Sequence, residues 1–281
     1  MSGIARVGVD CHIHLFGDPL RYPPVADRTY TPTPATLSQW RAISEPLGVR
    51  RAVLVQPSAY GADNTRLLDG LREAGDMARG VVVIDDTTPD YDLVAMNGLG
   101  VRGVRFNLVT CTSSEASCAL ARLRTVAARI ACLGWHLQVY ARGAILEHVV
   151  ALVPSLGVPV VFDHMAGARS SLGLEQPGFQ TVLRLFREGK CWIKISGADH
   201  VSSRRDSPEE ALPIMRKLVE ANSDQLVWGS DWPHIGKAGG PQSVEYLAIS
   251  HDRLLALLRE AASGVMRQIL MNNPTKLYGW V

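Results

Sequence analysis

The chain has 281 residues, 47% of them hydrophobic, and a formal net charge of +2. This suits one large domain with a substantial core, spanning 1–281. No basic block, polybasic segment or membrane-length apolar run is present, which points away from nucleic acid and membrane partners.

In chain order, the first predicted strand is 7–14. It is an apolar run that ends in His12 and His14 and is broken by Gly17, Asp18 and Pro19. Side chains alternate along a strand, so an i, i+2 pair of histidines shares one face. A helix over 36–47 follows, then a strand over 50–58 and a helix over 64–74 with Asn64 as its expected N-cap. The strand at 80–85 and the short helix at 91–99 come next, then the strand at 101–107. A helix over 114–133 closes at Gly134, a favourable residue after a helix end. The strands 135–140, 158–164, 191–197 and 226–231 alternate with helices 144–156, 179–187 and 209–221, the last opened by Ser207-Pro208. A final helix is expected over 251–271.

Most of these strands are continuous apolar runs, as in sheets covered on both faces. Eight strands alternating with helices predict an α/β fold, a (β/α)8 (TIM) barrel in one domain. An open doubly wound sheet would more often carry a glycine-rich phosphate loop after the first strand, and this chain has none.

A barrel keeps its chemistry at the C-terminal ends of its strands. There the sequence places His12 and His14, Gln56-Pro57-Ser58, Arg105-Phe106-Asn107, Tyr140, Asp163-His164, Ser196-Gly197 and Gly229-Ser230-Asp231-Trp232-Pro233-His234. Arg102 and Arg105 have an odd spacing and face opposite ways, and Arg105, nearer the strand end, is expected inward. By the same alternation Asp163 is expected to point away from His164, toward a helix. Asp10 is expected to orient a loop.

These motifs, with the closing Asn273-Pro274-Thr275-Lys276-Leu277-Tyr278-Gly279, resemble the amidohydrolase superfamily. Within it they resemble the branch of 2-pyrone-4,6-dicarboxylate lactonase and related sugar-lactone enzymes. The resemblance covers nearly the whole chain. It implies a metal-independent hydrolase of a lactone or pyrone-type carboxylate, with Asp231 as general base and His12, His14 and His164 as its catalytic partners. It implies substrate contacts from Arg105, Ser58, Tyr30 and Tyr140. Asn107, His200 and His234 are added as substrate-binding candidates from their strand-end positions.

Amidohydrolases commonly hold one or two divalent metals, two of them bridged by a carbamylated lysine on strand four. The first lysine here is Lys190, so a bridged pair is not expected, and no metal is the preferred reading. One zinc at His12, His14, His164 and Asp231 is the alternative, as part of an amidohydrolase or decarboxylase. A sugar-lactone isomerase and a non-catalytic binder are further alternatives. Two arginines of the resembled lactonase are replaced, one by Cys111 and one within Ala198-Asp199-His200. The resemblance therefore implies a lactone with one carboxylate or none. The partner expected is a small lactone, with self-association left open. Five cysteines at no metal-like spacing, and no room for a signal peptide before the first strand, fit a cytoplasmic location.

Overall fold

The computed structural model describes residues 8–109, 113–236 and 244–280. Its eight strands are β1 Gly8–Ile13, β2 Val49–Val55, β3 Ala78–Val82, β4 Val101–Asn107, β5 His136–Tyr140, β6 Val160–Phe162, β7 Trp192–Ile195 and β8 Leu226–Trp228. They pair in sequence order, every ladder parallel. The ring closes just past β8. There Ile13 bridges Trp232, the Asp231 amide donates to His12 O at 2.9 Å, and the His14 amide donates to Trp232 O at 2.9 Å. The fold is the expected (β/α)8 barrel.

The surrounding helices are α1 Leu37–Ser44, α2 Thr65–Ala74, α3 Asp90–Gly98, α4 Ser113–Ile130, α5 Gly143–Leu152, α6 Pro177–Arg187, α7 Ala198–Val201, α8 Leu212–Asn222, α9 His251–Ala262 and α10 Asn273–Tyr278. Their apolar faces pack on the outside of the strands in the main core, with Leu67, Leu71, Val126, Val149, Val182 and Leu218 all buried there. This packing, more than helix propensity, stabilises such short helices.

The barrel interior holds a second apolar cluster of Val9, Cys11, Val53, Val55, Val81, Val161 and Val227, floored by Tyr278 and Trp280. The closing motif thus seals the N-terminal end of the barrel. Asn273 secures it, donating through Nδ2 to Ser223 O at 2.8 Å and Leu226 O at 2.6 Å. That end serves stability in this architecture, while the opposite end carries chemistry.

Several expected bounds shift. The strands expected at 158–164, 191–197 and 226–231 end two or three residues early, at Phe162, Ile195 and Trp228. The reason is backbone that cannot continue a ladder: His164 (φ 48°), Gly197 (φ 57°) and Asp231 (φ 68°) are left-handed. The expected helix 251–271 is interrupted after Ala262 by a 3-10 turn and a π segment over Gln268–Asn272. Asn64 precedes α2 but caps nothing. Its amide instead accepts from Val83 N and donates to Val83 O, which ties the end of β3 to the preceding loop.

Candidate active site

Asp231 stands at the C-terminal mouth of the barrel, 5% exposed, and four imidazoles converge on it. Its Oδ1 lies 3.5 Å from His12 Nε2 and 3.6 Å from His14 Nε2. Its Oδ2 lies 3.2 Å from His200 Nε2 and 3.9 Å from His164 Nδ1. A cavity of about 320 Å3 opens above the group.

The glycine of the Gly229-Ser230-Asp231 turn lets β1 and β8 meet. A Cβ at Gly229 would stand 2.6 Å from His12 Cβ and 2.8 Å from His12 N. Asp10 then fastens the turn, accepting from Ser230 N at 2.8 Å, Ser230 Oγ at 2.6 Å and the Trp40 indole at 3.1 Å. Burial nonetheless pushes the Asp10 carboxyl up to about 6. The loop-orienting part expected of Asp10 is what these bonds perform.

Hydrogen-bond direction fixes the His14 ring. A carbonyl only accepts, so Nδ1, 2.8 Å from Val55 O, carries a proton, and Nε2 is the nitrogen turned to Asp231. Burial works against charge on His12, pushed down to about 4, and on His164, pushed well below 6.5. Burial also disfavours a charged Asp231, but the imidazoles around it dominate and hold its carboxyl well below the usual range. At neutral pH the centre is an ionised carboxylate beside the neutral rings of His12 and His164. His200 is opposed by burial too, yet its bond to Asp231 and the nearby Asp199 raise it.

Of the other expected residues, His14, Tyr30, Ser58, Arg105, Asn107, Tyr140, His164 and His200 line the cavity, and His12 lies beneath it. Burial lifts both tyrosine hydroxyls to about 12, so each stays a neutral donor. Arg105 points inward as expected, donating to Gln56 O at 3.1 Å, while Arg102 caps backbone at Asn97 and Val101.

Three expectations are corrected. His234 does not line this cavity; it is 2% exposed and packs edge-on against the His251 ring. Asp163 does not pair with a helix. β6 ends at Phe162 and the chain turns left-handed at His164, so both side chains face the barrel axis, and Asp163 meets His12 Nδ1 at 3.4 Å and Arg105 Nε at 3.5 Å. Finally, Arg142 and Arg205 join Arg105 at the cavity wall, so the loss of two arginines elsewhere does not leave a single guanidinium. Arg205 is compensated by Asp199, 2.6 Å away, whereas Arg142, among the described residues, donates to His200 O at 2.9 Å. Cys111 lies outside the described residues.

A family model described as amidohydrolase matches residues 9–280. The chain belongs to this family.

This amidohydrolase is 32% identical to a 2-pyrone-4,6-dicarboxylate hydrolase of Comamonas testosteroni, over 96% of this chain and 89% of that one. It is 31% identical to a 4-sulfomuconolactone hydrolase of Hydrogenophaga intermedia, over 97% and 88%. A crystal structure from Pseudomonas putida, provisionally assigned as a 2-pyrone-4,6-dicarboxylic acid hydrolase, superposes with a TM-score of 0.80 at 29% identity, over 98% of both chains.

The divalent metal common among amidohydrolases can be weighed against these residues. Ligand atoms at about 2.1 Å in a tetrahedron lie about 3.4 Å apart. Ligand atoms of His12, His164 and Asp231 all lie within 4.8 Å of one another, and among the described residues both His12 nitrogens lack a hydrogen-bond partner. These three fit one cation, whereas His14 does not join the group. A bridged pair does not fit, because β4 carries no lysine.

Proposed function

We propose that this amidohydrolase hydrolyses a small lactone carrying an anionic group, with Asp231 as the general base and no need of a metal. The observation that carries the reading is the Asp231 carboxylate, ringed by imidazoles at the floor of a cavity walled by guanidinium groups. Both curated relatives above are hydrolases named for pyrone or lactone substrates.

The chemistry follows from the geometry. Asp231 Oδ1 and the Nε2 lone pair of His12, 3.5 Å apart, are two acceptors for the two protons of one water, a setting in which that water gives up a proton. The carboxylate takes that proton as the water oxygen attacks the lactone carbonyl. Charge develops on the carbonyl oxygen, where Tyr140 and His164, in contact with their ring centroids 4.6 Å apart, act as donors. When the tetrahedral centre collapses, the ring C–O bond breaks. The proton held by Asp231 passes to the departing ring oxygen, giving a hydroxy acid. Arg105 and Arg142 anchor the anionic substituent through paired N–H donors.

A single divalent cation held by His12, His164 and Asp231 would add Lewis-acid polarisation of the carbonyl. A lactone is already an activated ester, and the steps above run on the chain's own groups. The reading extends to a reducing compartment, supported by Cys11, Cys118, Cys132 and Cys191, all free thiols. No helix among the described residues is long and apolar enough to cross a membrane.

The test is a panel of pyrone, muconolactone and sugar lactones, with product identification, on protein stripped by a strong chelator. Hydrolysis to the open hydroxy acid at undiminished rate is expected. Ring-size exchange without net water uptake would make the protein an isomerase, and activity restored only by added metal would overturn the metal-free reading.

A further inference from the structure

Beneath the cavity, Lys194, Gln138, Asp163 and His12 cross the barrel interior, and none is accessible to solvent. The reaction above uses only His12. Burying an ammonium costs several kcal/mol, and an aliphatic side chain would fill the barrel without that cost. The bonds of Lys194 show what the charge accomplishes.

An ammonium has three protons and no lone pair, so every group it faces must accept. Lys194 Nζ donates to Cys11 O at 2.9 Å and to Gln138 Oε1 at 2.6 Å. That decides which end of the Gln138 amide faces the lysine. The amide nitrogen is thereby turned to Asp163, donating to Oδ2 at 2.9 Å. The other oxygen, Oδ1, lies 3.7 Å from the same ammonium and 3.4 Å from His12 Nδ1. Among the described residues neither Oδ1 nor either His12 nitrogen has a hydrogen-bond partner, and a carboxylate oxygen only accepts, so the His12 proton belongs on Nδ1, the nitrogen beside Oδ1, and Nε2 faces Asp231 with its lone pair.

We propose that Lys194 is a positioning residue: through Gln138 and Asp163 it fixes His12 as the Nδ1–H tautomer and so presents the Nε2 lone pair to the reacting end of the cavity. A neutral amide in its place could rotate and reverse every bond in the chain; an ammonium cannot. Only the turnover part of the test rests on the proposed hydrolysis.

The experiment is long-range 1H–15N correlation of the histidine rings in the full chain, for wild type, Lys194→Met and Gln138→Leu, with kinetics on the same samples. Wild type should show His12 protonated on Nδ1. In Lys194→Met that preference should be lost, with kcat lower by about 10–100-fold, the range for groups that orient a reacting imidazole, and KM within about two-fold. The double variant should lose no more than the worse single one, as members of one chain do. If Lys194→Met does not fold, Gln138→Leu must show the same tautomer change. A wild-type His12 protonated on Nε2, or a folded variant with unchanged tautomer and kcat, overturns the proposal. If the tautomer responds but no lactone is turned over, the positioning stands and the assigned reaction fails.

Discussion

Asp231 concentrates the demands of the site in one side chain. Its backbone is left-handed at φ 68°, a conformation that costs a non-glycine residue about 1–3 kcal/mol and survives only where surrounding bonds enforce it. Here the bond from its amide to His12 O and the Asp10–Ser230 clasp do so. Asp231→Asn keeps shape and burial but removes proton affinity, so turnover should fall by about 10²–10⁴-fold with the protein still folded. Steady-state kinetics beside a circular dichroism melt checks this; turnover near that of wild type would move the base to an imidazole. A second residue-scale prediction concerns Arg142, whose guanidinium rests over the Tyr140 ring with Nε buried and without a partner among the described residues. Losing one charge-assisted bond removes about 1.5–3 kcal/mol. Arg142→Met should therefore raise KM for an anionic lactone by about 10–100-fold and leave KM for a neutral one nearly unchanged. Equal effects on both substrates would remove Arg142 from anion recognition.

Between elements, the β1–β8 seam couples packing to chemistry. A methyl at Gly229 would press on the His12 backbone itself, 2.8 Å from N and 3.1 Å from Cα. Backbone cannot yield as a flexible side chain does. Gly229→Ala should destabilise the fold by about 1–3 kcal/mol and also lower kcat, because the strand that moves carries His12. Gly98, at the end of α3, is the control: a Cβ there meets nothing within 4 Å, and alanine in a helix gains up to about 1 kcal/mol over glycine. Denaturant midpoints and kcat for the two variants decide the matter. A Gly229→Ala protein with normal kcat would mean that His12 is placed independently of the seam.

For the whole molecule, buried histidines set the acid limit. Burial pushes His12 down to about 4 and His136 and His251 each to about 3, against an ordinary 6.5. A base held neutral in the fold binds fewer protons than in the unfolded chain. Its stabilisation is complete above pH 6.5 and is lost as pH falls through the folded values. Asp163 and Asp231, both held well below 3.8, lose theirs in acid as well. Asp10, lifted to about 6, acts oppositely and gains toward low pH. Three rings outweigh one carboxyl, so stability should drop by several kcal/mol between pH 7 and pH 4. Urea midpoints across that range measure it, and a flat profile would contradict the neutral burial of these rings.

By itself the sequence determined the architecture and the strand-end motifs. Apolar runs of strand length alternating with amphipathic helical stretches admit few arrangements other than a closed parallel barrel, and barrel geometry sends His12, His14, Arg105 and Tyr140 to one mouth. What only the tertiary structure decided are the residues for which alternation along a strand fails or never applied. Asp163 turns inward because the strand stops at Phe162 and the backbone goes left-handed at His164. Arg142 and Arg205 reach the cavity from loops, where no period predicts a direction. Lys194 reads in the sequence as one more residue of an apolar strand, yet it lies 183 positions from the carbonyl of Cys11 to which it donates. A bond of that range has no signature along the chain, because it exists only once the barrel brings β7 across from β1.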